Sequence, residues 1–594
     1  RVAIALVPAM PAVILSVALA GGLFHGGSAC TVFAAGKKAT VDGSVIISHS
    51  DDGDPGFDAR LVYVPPADHA PGSKRPVYYA VESFPRYVGF SLGPDYGPDA
   101  DTGPGVMRPI GHIDQVAHTF GYQDSTYGVI NEHGVSVAES TCGAMFGTCG
   151  ANSSVGCEPG RKVGTALMSI DTLSQLAMER ATSSRQAVEL MGEFASKYGF
   201  YGPPDSFEGS GESLVVGDPE EAWAFQILSD PTGTGAIWAA RRVPDTDMTV
   251  VANMFTIREV NASDKDNFIL SPNIFDVARD QGWWKAGEPL DFTRMYSGGE
   301  YSSKYYSGRR MWGGFRMAAP SLALPDEYED LRYKPAYPWS VKPDKAVSHR
   351  DFMRWHRDWY AGTKYDMTKG LQAGPFGSPD RFETASKVKG HWERSIALYR
   401  TNAVYVQHLQ RPAGGRPDGL ASVAWYGAGA AHYAPFVPVP SGVTKSLRPL
   451  LTAAPRRPER RSMNWAVRRA MDVCQIHWSK MHPMVEAAQR RAEDEGDRML
   501  ASLRAGGGSG AAGPKAAWNE AFEAHAERVL ADWHELALGM LFNYSDNAEI
   551  SSNTPLSYPD EWLQGVGYAG GPPDAPVQDQ CPPKCHHDRS PIVV

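Results

Sequence analysis

Apolar and polar positions along this chain fall into distinct rhythms. The first is a leader, Val2 to Phe24, almost wholly apolar, with Arg1 the only charge before it. Short apolar runs cut by turn residues come next: S-V-I-I-S-H-S within residues 31–51 and Y-G-V-I-N-E-H-G-V-S-V-A-E-S within 124–140. Runs of this kind predict strands, and Asn131 to Gly134 between two of them predicts a hairpin. A helical period follows, with Ala187, Leu190, Met191, Phe194 and Ala195 at i, i+3, i+4, i+7 and i+8. It predicts a helix over Ser184 to Tyr198, with Ser184 as N-cap and Gly199 as the stop, beside a companion around Ser169 to Ala181. S-L-V-V, E-A-W-A-F-Q-I, G-A-I-W-A-A-R-R-V and M-T-V-V-A-N-M-F then read as a strand meander through residue 255. Strands, a helical pair and strands again predict two sheets covered by helices. From 256 to about 440 the chain reads as irregular and rich in aromatics, Gly and Pro. Ser462 to Ala501 and Ala516 to Phe542 are helical in composition, joined by A-G-G-G-S-G-A-A-G, and form either a separate bundle or a brace on the first domain. Trp465, Trp478, Trp518 and Trp533 read as packing residues of these helices.

Composition narrows the classes. A chain of 594 residues that is 42% hydrophobic and 21% charged has the make-up of a globular protein with ample core. A net charge of −10 argues against nucleic acid as a partner, because phosphate binding needs basic patches. The basic run Arg456 to Arg461 reads as a solvated helix start or linker. Seven cysteines are an odd set, which suits a secreted protein with one reactive thiol and six left to pair. Asp51, Asp52, Asp54 and Asp58 lack the regular spacing and terminal Glu of a calcium loop. The tail C-P-P-K-C-H-H lacks a zinc spacing. No metal and no cofactor are expected. Asn152, Asn261 and Asn543 head N-x-S/T sequons.

The leader ends G-G-S-A-C, and the small residues ahead of Cys30 mark residues 1–29 as a secretory signal peptide cut after Ala29. Pro8, Pro11 and the run G-G-L-F-H-G-G weaken a membrane-spanning helix, so no stable anchor is expected once the leader is gone. A lipoprotein signal also ends at Cys, but Gly27 stands where a large aliphatic is preferred. Cleavage would make Cys30 an N-terminus carrying both a nucleophile and a base. The freed amine, with a pKa of roughly 7.7–8.0, is partly uncharged at neutral pH and can take the thiol proton, whose own pKa is about 8.5. One residue could thus run acyl transfer without a catalytic histidine.

Several long motifs, in order, carry a resemblance. C-T-V-F-A-A-G-K-K-A-T-V-D-G-S-V-I-I-S-H-S-D-D, the hairpin continuing T-C-G-A, S-K-Y-G-F-Y, S-G-E-S-L-V-V-G-D-P-E-E-A-W, R-R-M-W-G-G-F-R-M-A-A-P-S, D-M-T-K-G-L-Q-A-G-P-F-G-S-P-D-R-F, W-Y-G-A-G-A-A-H-Y-A-P-F-V-P and Y-P-D-E-W-L resemble the dipeptidase A family. That family belongs to the N-terminal-nucleophile hydrolases and is similar to the secernins. The resemblance runs from Cys30 to about Tyr568. It implies an α+β fold, an αββα sandwich of two antiparallel sheets between helical layers, and hydrolysis of dipeptides or related small amides by a cysteine exposed on leader removal. The implied organisation is a signal peptide (1–29), a catalytic domain (30–455), a helical extension (456–570) and a Pro/Cys/His-rich tail (571–594).

Related enzymes place an acidic residue near the nucleophile's amine and an oxyanion-hole asparagine at a strand end. Those positions correspond here to Asp52 and Asn253. Glu139 and Thr141 are candidates to bind the substrate's free amino group or carbonyl, and Arg309 and Arg310 to bind a dipeptide carboxylate bidentately. Relatives often carry Arg where His49 stands, so His49 either replaces it or is a strand residue. The expected partner is a small peptide, in an extracellular or lysosome-like compartment, and a homo-oligomer is left open. Two other readings remain: a different amidohydrolase of the same superfamily, or a secreted scaffold that has kept the fold without the activity.

Overall fold

Turn residues at 36–44 separate two wholly buried apolar runs, which pair as the antiparallel strands β1 (Thr31–Ala35) and β2 (Val45–Asp51). The computed structural model describes residues 30–53, 60–79, 94–96, 109–151, 164–202, 210–299, 303–327, 337–382, 392–412, 418–452, 458–506 and 514–568. The leader, Asp54, Asp58, Asn152 and the tail from 571 lie outside the described residues.

After β3 (Val62–Val64) and β4 (Tyr122–Asp124), the expected hairpin forms from β5 (Gly128–Asn131) and β6 (Ser136–Cys142). Its turn is closed by Asn131, whose Oδ1 accepts from the backbone N–H groups of His133 and Val135. The helical pair follows as α1 (Ile170–Arg180), capped by Ser169, and α2 (Ser184–Tyr198). The N-cap of α2 is Ser183, one residue before the expected Ser184, because Ser183 is the residue with extended backbone and its hydroxyl takes the Gln186 N–H. Gly199 ends the helix at φ 74°.

The meander forms as β7 (Gly211–Gly217), β8 (Ala222–Ser229), β9 (Ala236–Arg242) and β10 (Met248–Val251). Its last strand leaves the others: β10 pairs with β1, while β9 pairs with β11 (Phe268–Leu270). Residues 256–440, expected to be irregular, contribute helices α3 (Arg309–Ala318) and α4 (His349–His356) and strands β12 (Ala403–Leu409), β13 (Val423–Gly427) and β14 (Val437–Pro440). Strand β12 pairs with β2, at the centre of the sheet. The aromatic-rich composition masked a strand whose seven residues are all buried.

Two antiparallel sheets result, one of six strands ordered β10-β1-β2-β12-β13-β14 and one of eight ordered β11-β9-β8-β7-β6-β5-β4-β3. Alternation along the strands fills three interfaces. Val137, Leu214, Val216 and Phe225 of the larger sheet pack against α1 and α2. Ala138 and Val215, the alternate residues, join the core of the smaller sheet, and Gly217 lets Ile47 approach closely. On the smaller sheet's other face, Phe33 makes edge contacts with Phe352 and Trp355 of α4, and Gly314 of α3 lies against Phe33 and Val250. A Cβ at Gly314 would meet both at 2.7 Å, so Gly314→Ala must push the helix off the sheet. Each fully buried aromatic here contributes on the order of 1.5–3 kcal/mol.

The carboxy-terminal helices are α5 (Met463–Ile476), α6 (Trp478–Arg504) and α7 (Pro514–Asn543). His477 (φ −136°) divides the first predicted helix into two. These helices share the smaller sheet's core: Gly496 packs on Trp425 of β13, and Trp533 Nε1–H donates to the Tyr433 carbonyl at 3.0 Å. Among the described residues, no helix is long and apolar enough to cross a membrane. Cys30, Cys142 and Cys474 carry reduced thiols and Cys149 is in a disulfide, so the expected set of six paired cysteines does not form. Cys142 and Cys474 are buried in separate cores, so these two do not pair with each other.

Candidate active site

Strand register decides what meets Cys30. Thr31 lies opposite Ser50, so β2 turns His49 and Asp51 into the space between the sheets and Ser48 and Ser50 toward the helices, with Asp52 following on that second side.

Between the sheets, the Cys30 Sγ, one His49 ring nitrogen and one Glu139 carboxylate oxygen all lie within 4.8 Å of one another, and all three residues are buried. His49 comes from β2 of the smaller sheet and Glu139 from β6 of the larger one, so the cluster joins the two sheets. His49 Nδ1 is 2.8 Å from the Tyr405 hydroxyl of β12, and its Nε2 is 3.5 Å from Glu139 Oε2, an ion-pair distance longer than a well-formed hydrogen bond. Thr141 Oγ1–H donates to Glu139 Oε1 at 2.7 Å. Glu212 of β7 lies opposite Thr141 in the register and is one of the groups that lower the Glu139 pKa. Burial pushes the Glu139 pKa up, but His49 and the protons offered by Glu212 and Cys30 outweigh it and hold Glu139 below its ordinary value. Asp51 takes a hydrogen bond from Thr126 Oγ1 at 2.9 Å, and burial pushes its pKa up to about 6. Burial keeps the Tyr405 hydroxyl protonated well above its usual range. Thiol, imidazole and carboxylate at this spacing are also a donor set for a zinc-class ion.

On the helix side, polar groups fix the backbone around Cys30. Arg310 of α3 is fully buried; its Nη1 donates to the Cys30 carbonyl at 2.7 Å and to Thr31 Oγ1 at 3.1 Å, and its Nη2 donates to Asn253 Oδ1 at 2.8 Å. Burial, then the charge of Arg394, lowers the Arg310 pKa to about 10, so it remains a cation at neutral pH. Because guanidinium only donates, the Asn253 oxygen must face it, which aims Nδ2 at the Thr141 carbonyl, 2.8 Å away. Asn253 holds φ 50°, a left-handed conformation uncommon outside glycine. Its backbone N–H donates to Ser140 Oγ at 2.8 Å, and Ser140 Oγ–H in turn donates to the Cys30 carbonyl at 3.4 Å. Asp52 takes hydrogen bonds from Ser50 Oγ (3.2 Å), Arg394 and Thr401, and Ser50 Oγ accepts the Thr31 N–H at 3.2 Å. Asp52 therefore reaches β1, next to Cys30, through Ser50.

Of the residues singled out in the sequence, Cys30, His49, Glu139 and Thr141 come together, and Arg310 joins Asn253 to the Cys30 carbonyl. Arg309, one residue from Arg310, turns away: its guanidinium pairs with Glu393 at 2.8 Å and stacks on Tyr365. Glu212, Arg394, Thr401 and Tyr405 were missed. Glu212 had a signal, a carboxylate inside the apolar run E-S-L-V-V; Arg394 in H-W-E-R-S had none.

The model of Peptidase family C69 matches residues 110–491, a span that holds Glu139, Glu212, Asn253 and Arg310 and begins after Cys30. A protein named probable dipeptidase from Latilactobacillus sakei is 24% identical over 412 residues, 69% of this chain and 74% of its own. A probable dipeptidase of Salmonella dublin is 22% identical over 423 residues, 70% of this chain and 81% of its own. A probable dipeptidase B of Lactococcus lactis subsp. lactis is 22% identical over 418 residues, 69% of this chain and 73% of its own.

Proposed function

The chain belongs to Peptidase family C69, and from that membership we propose that it is a cysteine dipeptidase whose nucleophile is Cys30, freed as an N-terminus by removal of residues 1–29. The observation that carries the reading is the meeting of Cys30, at the head of β1, with His49 and Glu139 between the sheets while Arg310 holds the Cys30 carbonyl. The names of the relatives favour dipeptides as substrates. The layer order of helices, sheet, sheet and helices supports an N-terminal-nucleophile fold, with residues 30–455 as the catalytic unit and 456–570 as a helical brace. The leader supports export to an extracellular or lysosome-like compartment.

In this mechanism the Cys30 thiol gives its proton to its own α-amine and the sulfur attacks the scissile carbonyl. The amine then passes the proton to the leaving amino group, and water hydrolyses the thioester through the same base. Asn253, whose side-chain amide is oriented by Arg310 next to the Cys30 carbonyl, is the donor this mechanism assigns to the developing oxyanion. Arg310 is a positioning residue, since it acts through the Cys30 carbonyl and Asn253. Glu139, Glu212 and Asp51 form an acidic end of the site that suits the ammonium group of a dipeptide better than a neutral acyl chain. Cys30→Ala and Cys30→Ser proteins, assayed on free dipeptides and on N-acylated counterparts, test this. Loss of hydrolysis in both, with wild type preferring the free amine, is expected. Undiminished activity of Cys30→Ala overturns the reading.

A further inference from the structure

Two atoms between the sheets are out of keeping with their surroundings. His49 Nε2 and Glu139 Oε2 are fully buried and neither makes a hydrogen bond, although an unmet buried polar atom is destabilising. They face each other at 3.5 Å, and the Cys30 sulfur completes a group whose ligand atoms lie within 4.8 Å of one another. We propose that Cys30, His49 and Glu139 of the mature chain bind one zinc-class divalent ion, and that occupancy reversibly silences the nucleophile.

The donor chemistry supports this. Zinc takes thiolate sulfur at about 2.3 Å, imidazole nitrogen at about 2.0–2.1 Å and carboxylate oxygen at about 2.0–2.2 Å, so ligand atoms around one ion sit roughly 3.3–3.8 Å apart. The His49–Glu139 pair already has that separation, and the sulfur needs to close by about an ångström. The Tyr405 hydroxyl can accept an N–H from His49 Nδ1, and in that tautomer Nε2 carries the lone pair that an ion needs. The fourth ligand is the Cys30 α-amine, which with its own sulfur closes a five-membered chelate. This last ligand rests on the proposed N-terminal nucleophile. Binding displaces the thiol proton to solvent, and thiolate plus Glu139 carboxylate then neutralise the ion, as a buried site requires. The ion takes the lone pairs of both sulfur and amine, the two that catalysis needs.

Cobalt(II), which reports thiolate ligation by a charge-transfer absorption and tetrahedral geometry by its visible bands, is the probe. Mature protein, its first residue verified, is titrated with cobalt and then with zinc in competition, beside Glu139→Gln, His49→Ala, Cys30→Ser and a chain that keeps Ala29 ahead of Cys30. Expected are one equivalent of cobalt with a thiolate band in wild type, and weakening by at least about tenfold in each altered protein. Glu139→Gln and Cys30→Ser change least in shape and carry the test should His49→Ala fail to fold. No thiolate band, or equal cobalt affinity in Cys30→Ser, overturns the proposal. Peptidase assays in chelator separate the two readings. Hydrolysis in chelator with no cobalt band sinks the metal site alone, and a cobalt band without hydrolysis sinks the dipeptidase alone. Hydrolysis lost in chelator and restored by zinc contradicts the silencing role.

Discussion

The two faces of β2 carry equally polar side chains and use them in opposite ways. Toward the helices, Asp52 is bonded by Ser50, Arg394 and Thr401, and Ser48 meets His356 at 2.8 Å. Toward the other sheet, one residue along, His49 and Glu139 leave buried atoms without hydrogen bonds beside the Cys30 sulfur. The Asp52 carboxylate is bonded at both oxygens and ties together the segments it joins, whereas His49 and Glu139 keep unbonded atoms at the Cys30 sulfur; on the helix side the unbonded atom of this set is His356 Nδ1, away from the sulfur. The helix side holds the Cys30 backbone, and the other side gathers the reactive groups around its sulfur.

Asp52→Ala gives the largest break in that contrast. It strips Arg394 of its buried counter-charge and should cost about 3–5 kcal/mol in denaturant unfolding, a structural effect far above that of any inter-sheet substitution. A change under about 1 kcal/mol removes the distinction between the faces. Next is Glu139→Gln, which should lower kcat/KM for free dipeptides roughly 100-fold, on the order of 2.7 kcal/mol, while N-acylated substrates and unfolding stability change little. Equal losses on both substrates would assign Glu139 to structure.

Acidity sharpens the contrast further. Burial, with His49 and Arg357 adding repulsion, lowers His356 to about 3, while the unfolded chain titrates near 6.5. The folded pKa is the depressed one, so this contribution is complete above about 6.5 and is lost as pH falls toward 3, at a limiting slope near 1.4 kcal/mol per pH unit. His356→Gln should flatten the acid limb of stability against pH by about one proton, and an unchanged slope would place His356 outside the buried network. Smallest is Ser50→Ala, which removes the link from Thr31 N–H to Asp52 and should cost about 1 kcal/mol.

What the sequence disclosed follows from range. The β5–β6 hairpin, α1 and α2 were legible because turn chemistry and helical period act within a dozen residues. Cys30 was singled out through the leader ahead of it, and the structure sets it beside His49 and Glu139. The placement of β12 beside β2, the departure of β10 to the other sheet, and the approach of His49 to Glu139 depend on pairings across long stretches of chain, which no local pattern encodes. Arg309 and Arg310 looked equivalent in R-R-M-W, and only the roughly 100° turn between helix neighbours sends one to Cys30 and the other to Glu393.

The central claim, that Cys30 acts as a free N-terminus, is tested most directly by the intact mass and first residue of the catalytically active chain. The account predicts a chain that begins at Cys30 with an unmodified amine and loses dipeptide hydrolysis when even Ala29 is retained. Full activity in a chain with any residue ahead of Cys30 would contradict it.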